Sequence, residues 1–160
     1  MHDGVAILEA EMKLIGMIIM AVFLLGLVAY TVMAMLSQKM PNTLGLKDGL
    51  LVPCPDSPNC VCSESHSKGD AAHAIEGILV TSDSWTRLKQ VIQEQGGRIE
   101  KEEGDYLHAT FSSAIFRYVD DVEFRQDVKE GIIHMRSASR IGRSDFGVNR
   151  QRMESIKKAL

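Results

Sequence analysis

Between positions 136 and 152 the chain reads Arg-Ser-Ala-Ser-Arg-Ile-Gly-Arg-Ser-Asp-Phe-Gly-Val-Asn-Arg-Gln-Arg, five arginines with one acid and two glycines. A guanidinium is a planar fork of donors that matches carboxylate and phosphate, so this density is suited to holding an anion. Arg136 and Arg140 stand four positions apart on an expected strand and therefore share a face. Gly142, Gly147 and the start of the following helix can present backbone amides to an oxyanion. With Asp120, Arg143, Asn149 and Arg150 they form a candidate ligand set, for which a phosphate, a carboxylate or a lipid headgroup is the fitting ligand.

The acidic counterpart is Asp120-Asp121-Val122-Glu123. Strand alternation puts Asp120 on the face of Tyr118 and Val122, hence partly buried, and turns Asp121 and Glu123 the other way. A buried carboxylate requires a partner, and Arg136 or Arg140 from the next strand is the expected one. The simplest role for such a pair is structural, fixing the strand to the helix that follows. Two functional roles stand beside it. One is a binding pocket in which arginines outnumber acids; the other is a hydrolase- or lyase-like site using Asp120 or Asp121 with the arginines stabilising an oxyanion. No phosphate loop, dinucleotide fingerprint or nucleophile elbow occurs, so no catalytic residue is assigned.

Cys54, Cys60 and Cys62, with His66 and His73, give the spacing C-x5-C-x-C-x3-H-x6-H. It matches no common zinc pattern, so neither a metal nor a cofactor is expected. Cys54 and Cys60 lie in a proline-bracketed loop and can close a small disulfide in an oxidising compartment. A catalytic thiol would need a base that the sequence does not locate. His108 is expected on the solvent side of its strand, and His134 on the face of Arg136.

The elements that must position these residues follow from periodicity. Residues 14–36 form 23 positions without a charge. At about 1.5 Å per residue such a helix spans a hydrocarbon core of roughly 30 Å. The run exceeds the apolar stretch of a cleaved signal, so a retained anchor is expected. Met12-Lys13 resembles a natural start, which would make residues 1–11 an upstream extension. The expected organisation is an N-terminal tail (1–13), a transmembrane helix (14–36), a linker (37–49) and a soluble domain (50–160).

Within that domain residues 50–74, rich in proline, serine and cysteine, are expected as an irregular arm, followed by a strand at 75–80. Ser82 or Asp83 caps a helix whose Trp85, Leu88, Val91 and Ile92 keep helical spacing up to Gly96-Gly97. The period then changes to two, giving strands at 98–102 and 106–112, a third with Val122 and Phe124 on one face, and a last at 132–139. A helix from about 146 to 160, capped by Asp145, turns Met153, Ile156 and Leu160 inward. The fold class is α+β: one membrane helix, then a two-layer domain with an antiparallel sheet and two helices on one face. Its order, β-α-β-β-β-β-α, is similar to that of the TATA-binding-protein-like topology, from which no DNA binding is inferred. The net charge of -3 argues in the same direction, because a general nucleic-acid binder is normally basic.

Three stretches together, Pro53-Cys54-Pro55-Asp56-Ser57-Pro58-Asn59-Cys60-Val61, the acidic run at 120–123 and the arginine cluster at 136–152, resemble the bacterial and plastid family called domain of unknown function 1499. The resemblance covers residues 50–160 and carries no assigned chemistry. Where the family has Cys-Val-Ser-Ser or similar, this chain has Cys60-Val61-Cys62-Ser63, so Cys62 departs from the pattern and the expected bridge is Cys54 to Cys60 with Cys62 free. Family members are largely exported or lumenal. That implies a bacterial inner-membrane protein whose domain faces the periplasm, although Lys13 against Lys39 and Lys47 slightly favours the opposite orientation. The expected function is a non-enzymatic, membrane-anchored envelope module that binds an anionic or amphipathic small ligand, or an envelope partner, with the hydrolase- or lyase-like site at Asp120 or Asp121 as the alternative.

Overall fold

The computed structural model describes residues 2–160, with side chains described at positions 8, 9 and 11–160. Met1, the first residue of the expected tail, lies outside the described residues. The chain divides into two units, Met1–Leu36 and Ser37–Leu160.

The first unit is helical. Helix α1 (His2–Gln38) includes residues preceding the apolar run, and its stretch Glu11–Gln38, 28 residues, is long and apolar enough to cross a membrane. Exposed apolar side chains such as Ile15, Ile19, Phe23 and Leu25 dominate the surface of this stretch.

The second unit is an α+β domain. Its elements are β1 (Leu46–Lys47), β2 (Leu50–Leu51), β3 (Cys60–Cys62), β4 (Ile78–Leu79), α2 (Ser84–Glu94), β5 (Arg98–Glu103), β6 (Tyr106–Ser112), β7 (Val119–Asp127), β8 (Ile132–Ser139) and α3 (Val148–Lys158). β1 and β2 make a small hairpin, and the main sheet is antiparallel in the order β3-β8-β7-β6-β5, with β4 also on β8. Strands β5 to β8, with α2 before them and α3 after, realise the expected order. β3 adds an edge strand within the segment expected to be irregular, and the strand expected at 75–80 is only the two residues of β4.

One face of the sheet carries the apolar core. Leu107, Ala109 and Phe111 of β6, Val122 and Phe124 of β7, and Ile133 and Met135 of β8 pack with Leu88, Val91 and Ile92 of α2 and Met153 and Ile156 of α3. Spacings of two on the strands and of three or four on the helices put these side chains toward each other. Close approach fixes the exit from α2: a Cβ at Gly97 would lie 2.6 Å from the Phe111 ring and 2.7 Å from Ile92. Helix α3 starts two residues later than expected, behind Gly147 in the left-handed region at φ 81. Asp145 still serves the helix start, since its carboxylate accepts the Asn149 amide at 2.7 Å and the Gly147 amide at 3.1 Å.

The opposite face carries charge and is covered by the arm before β3. Ser37 Oγ accepts the Val119 amide at 2.7 Å, the Gly45 amide donates to Glu123 Oε1 at 2.7 Å, and the Leu51 amide donates to Glu64 Oε1 at 3.1 Å. Leu51 is buried with Cys62, Tyr106 and the half-buried Cys54. The helices therefore seal one side of the sheet with hydrocarbon, and residues 37–64 seal the other over ion pairs.

Candidate functional site

Register decides which charges meet. β7 and β8 pair Asp120 with Ser139, Asp121 with Ala138 and Glu123 with Arg136, and directly paired residues point to the same face. Asp120 thus faces the helices, while Asp121, Glu123, Arg136 and Arg140 all face the arm. The expected pairing of Asp120 with Arg136 or Arg140 is corrected by this register: those arginines lie on the far side of the sheet. Arg152 of α3 reaches Asp120 Oδ2 instead, at 2.6 Å, with its guanidinium carbon 4.8 Å from the centre of the Phe111 ring.

Three ion-pair groups cross the arm-side face. Arg125 donates to both oxygens of Glu64 at 2.8 and 3.1 Å and to Asp127 at 3.0 Å. Glu123 receives Arg136 at 2.7 Å and the Tyr106 hydroxyl at 2.7 Å. Asp121 receives both Nε and Nη2 of Arg140 at 2.8 and 2.7 Å, and His108 Nε2 lies 2.8 Å from it. His108 is 3% exposed, so the expected solvent position is replaced by a buried one paired with Asp121.

Charge state follows from these contacts. Burial opposes ionisation of Glu64, but the hydrogen bonds from Arg125 and the Leu51 amide outweigh it and hold its carboxyl below the usual range. Burial likewise opposes ionisation of Asp121, and Arg140 with His108 overrides it in the same direction. Burial and the adjacent Glu123 charge push the Tyr106 phenol up. An aspartate held as a carboxylate by a two-pronged guanidinium is a weak base, and Asp120 and Asp121 face opposite sides of β7, so the two cannot act as one carboxylate pair.

The six residues of the expected ligand set do not converge. Asn149 is an internal clamp: its Nδ2 donates to Asn59 O and to Ser139 Oγ, both at 2.9 Å, while its Oδ1 accepts the Ser137 hydroxyl and Arg152. Arg150 donates to Ala74 O at 2.8 Å and Ala72 O at 3.1 Å, tying the chain before β4 to α3. Arg143 is exposed on the loop between β8 and α3. Arg136 and Arg140 share a cleft of about 310 Å³ with Asp121, Pro41, Thr43 and the Pro53 to Pro55 turn. The Arg136 Nε there is buried and has no hydrogen-bond partner.

A second hollow, of about 990 Å³, lies along β4, the chain on either side of it, and α3. Ile75, Ile78, Leu79, Ile132 and Leu160 supply apolar wall, and Lys68, Arg150 and Lys157 supply cations alongside Glu76, Glu130 and Glu154. Glu64 and Arg125 carry no signal in the sequence that marks them out, although both belong to a buried charge group.

Cys54 and Cys60 form a disulfide, with Cα atoms 5.6 Å apart. Cys62 is a buried free thiol whose Sγ lies 3.7 Å from His66 Nε2, the neighbour that the sequence did not locate. Burial pushes this thiol up, toward the unreactive protonated form.

The architecture and the buried charges together define an α+β domain behind an apolar helix. A family model described as "Protein of unknown function (DUF1499)" matches residues 50–160, and the chain belongs to that family. Neither the curated proteins nor the solved structures gave a match.

Proposed function

We infer that this is a single-pass envelope protein of the bacterial inner membrane, held through residues 14–36, whose domain faces the periplasm and binds an amphipathic small molecule. The observation that carries the reading is the groove of about 990 Å³, which joins an apolar wall to cations at Lys68, Arg150 and Lys157. Ligand sites are generally concave, mostly apolar and of about 300–1,000 Å³, with a few polar groups that fix orientation. A molecule with a hydrocarbon body and an anionic end matches that lining. The Cys54–Cys60 disulfide supports an oxidising compartment, since such bonds are rare where glutathione keeps thiols reduced.

The test is a native mass spectrum of the full chain extracted gently from its own membrane. The reading expects a discrete bound mass that disappears in Leu79→Glu, a change at an exposed wall position that leaves the core untouched. A bare wild-type chain, or a bound mass indifferent to Leu79→Glu, discards the groove.

The orphaned Arg136 Nε favours a second reading, a small carboxylate or phosphate in the cleft beneath the arm. A buried guanidinium nitrogen without an acceptor has a free-energy incentive to gain one. That reading expects a bound mass that survives Leu79→Glu and is lost in Arg136→Lys, which keeps the charge but removes the fork.

A further inference from the structure

At the β7–β8 turn, Asp127, Glu130 and His134 each bring one potential ligand atom within 4.8 Å of the others. His134 Nε2 is buried, has no hydrogen-bond partner and lies 3.4 Å from Glu130 Oε2. The other ring nitrogen, Nδ1, faces Glu64 Oε2 at 3.5 Å and Ser63 Oγ at 3.4 Å. Nε2 is thus the ring nitrogen left without a hydrogen-bond partner, and an imidazole nitrogen of that kind is a common metal ligand.

We propose that Asp127, Glu130 and His134 hold a divalent cation of the zinc type, with its open positions toward the large groove. Two ligands on one tetrahedral zinc at about 2.0–2.1 Å stand roughly 3.3 Å apart, close to the separation of His134 Nε2 and Glu130 Oε2. Asp127 has room for it. A carboxylate offers about four lone-pair positions; Arg125 takes one on Oδ2, and the amides of Lys129 and Glu130 take positions on Oδ1. The guanidinium of Arg125 is matched by Glu64, which leaves Asp127 and Glu130 as the charges a dication would neutralise. A carboxylate behind the distal nitrogen of a metal-bound imidazole orients the ring and raises its basicity, which is the position of Glu64. Imidazole with two carboxylates favours zinc over magnesium or calcium, which prefer oxygen alone. Glu130 and His134 line the groove, so substrate or water can reach the remaining positions.

The experiment is a zinc titration of the full chain in detergent after chelator treatment, followed by calorimetry and by equilibrium dialysis. The expected result is one zinc per chain, with affinity reduced by more than about tenfold in Glu130→Gln and in His134→Gln, because losing even an outer partner costs about that much. The Glu130 side chain is 62% exposed, so Glu130→Gln tests the site without disturbing the fold. Absence of saturable binding overturns the proposal. Binding that survives Glu130→Gln, or that is abolished by Cys62→Ser instead, overturns it as well.

Discussion

Arg125 grips Glu64 across 61 positions of sequence with two parallel hydrogen bonds, Nε to Oε1 at 2.8 Å and Nη2 to Oε2 at 3.1 Å, and so fastens the arm to the middle of the sheet. Both side chains are buried, Glu64 to within 1%. Removing Glu64 leaves the buried Arg125 with Asp127 alone, and breaking a buried pair costs up to about 3–5 kcal/mol. Glu64→Gln should lower the stability of the folded domain by that order in urea titrations of the full chain, whereas Glu154→Gln, an exposed change on α3, should leave the midpoint where it is.

The two aspartates of β7 should separate in the same assay. The Asp121 side chain is 2% exposed and receives Arg140 and His108, while that of Asp120 is 16% exposed and receives Arg152. Asp121→Asn is expected to cost about 3–5 kcal/mol and Asp120→Asn about 1–3 kcal/mol. Equal losses would mean that burial does not rank these pairs.

Much of this was legible in advance. Leu107, Ala109 and Phe111 announced β6 by alternation, and Leu88, Val91 and Ile92 announced α2, because one buried face imposes its period on the sequence. Alternation also placed Asp120 with Val122 correctly. What periodicity does not carry is register, so the partner of Asp120 could not be read; only the pairing of Glu123 with Arg136 reveals that the β8 arginines face away from it. The burial of His108, Asp121 and Glu123 was hidden for another reason. Charged residues at alternate strand positions ordinarily mean solvent, and the covering layer here is an arm without periodicity of its own.

The Asp70–His73 contact gives the arm a pH dependence. His73 Nδ1 lies 2.6 Å from Asp70 Oδ2 and its Nε2 lies 3.1 Å from Ser57 O. The Asp70 hydrogen bond, opposed in part by burial, raises His73 above its ordinary value of 6.5. A raised histidine stabilises fully below its unfolded value and loses that contribution as pH climbs through the folded one. His73 also lowers Asp70 below 3.8, so the Asp70 share is present above that value and fades as pH falls through the lowered one. Protection of the Cys62 amide, which donates to His73 O at 2.9 Å, should therefore fall as pH rises above 6.5, once intrinsic exchange rates are normalised. In His73→Gln the dependence should vanish.

The disulfide offers a further check. By chain entropy a bridge between residues only 6 apart stabilises by about 2 kcal/mol. Cys54→Ser should lower the urea midpoint correspondingly, and wild-type chain from growing cells should resist thiol alkylation at Cys54 until reduced. Immediate alkylation in unreduced samples would count against a periplasmic domain.

The sealing of the sheet by residues 37–64 also sets the order in which this molecule comes together. Ser37 O accepts Arg140 from 103 positions away, and the Gly45 amide meets Glu123 across 78. The arm emerges from the ribosome before any of the strands it closes, and the guanidinium that grips Glu64 comes from Arg125, 61 positions later. Contacts of such long separation form late and slowly. Completion of the domain must therefore wait until β8 and the residue that follows it, Arg140, are available to the arm.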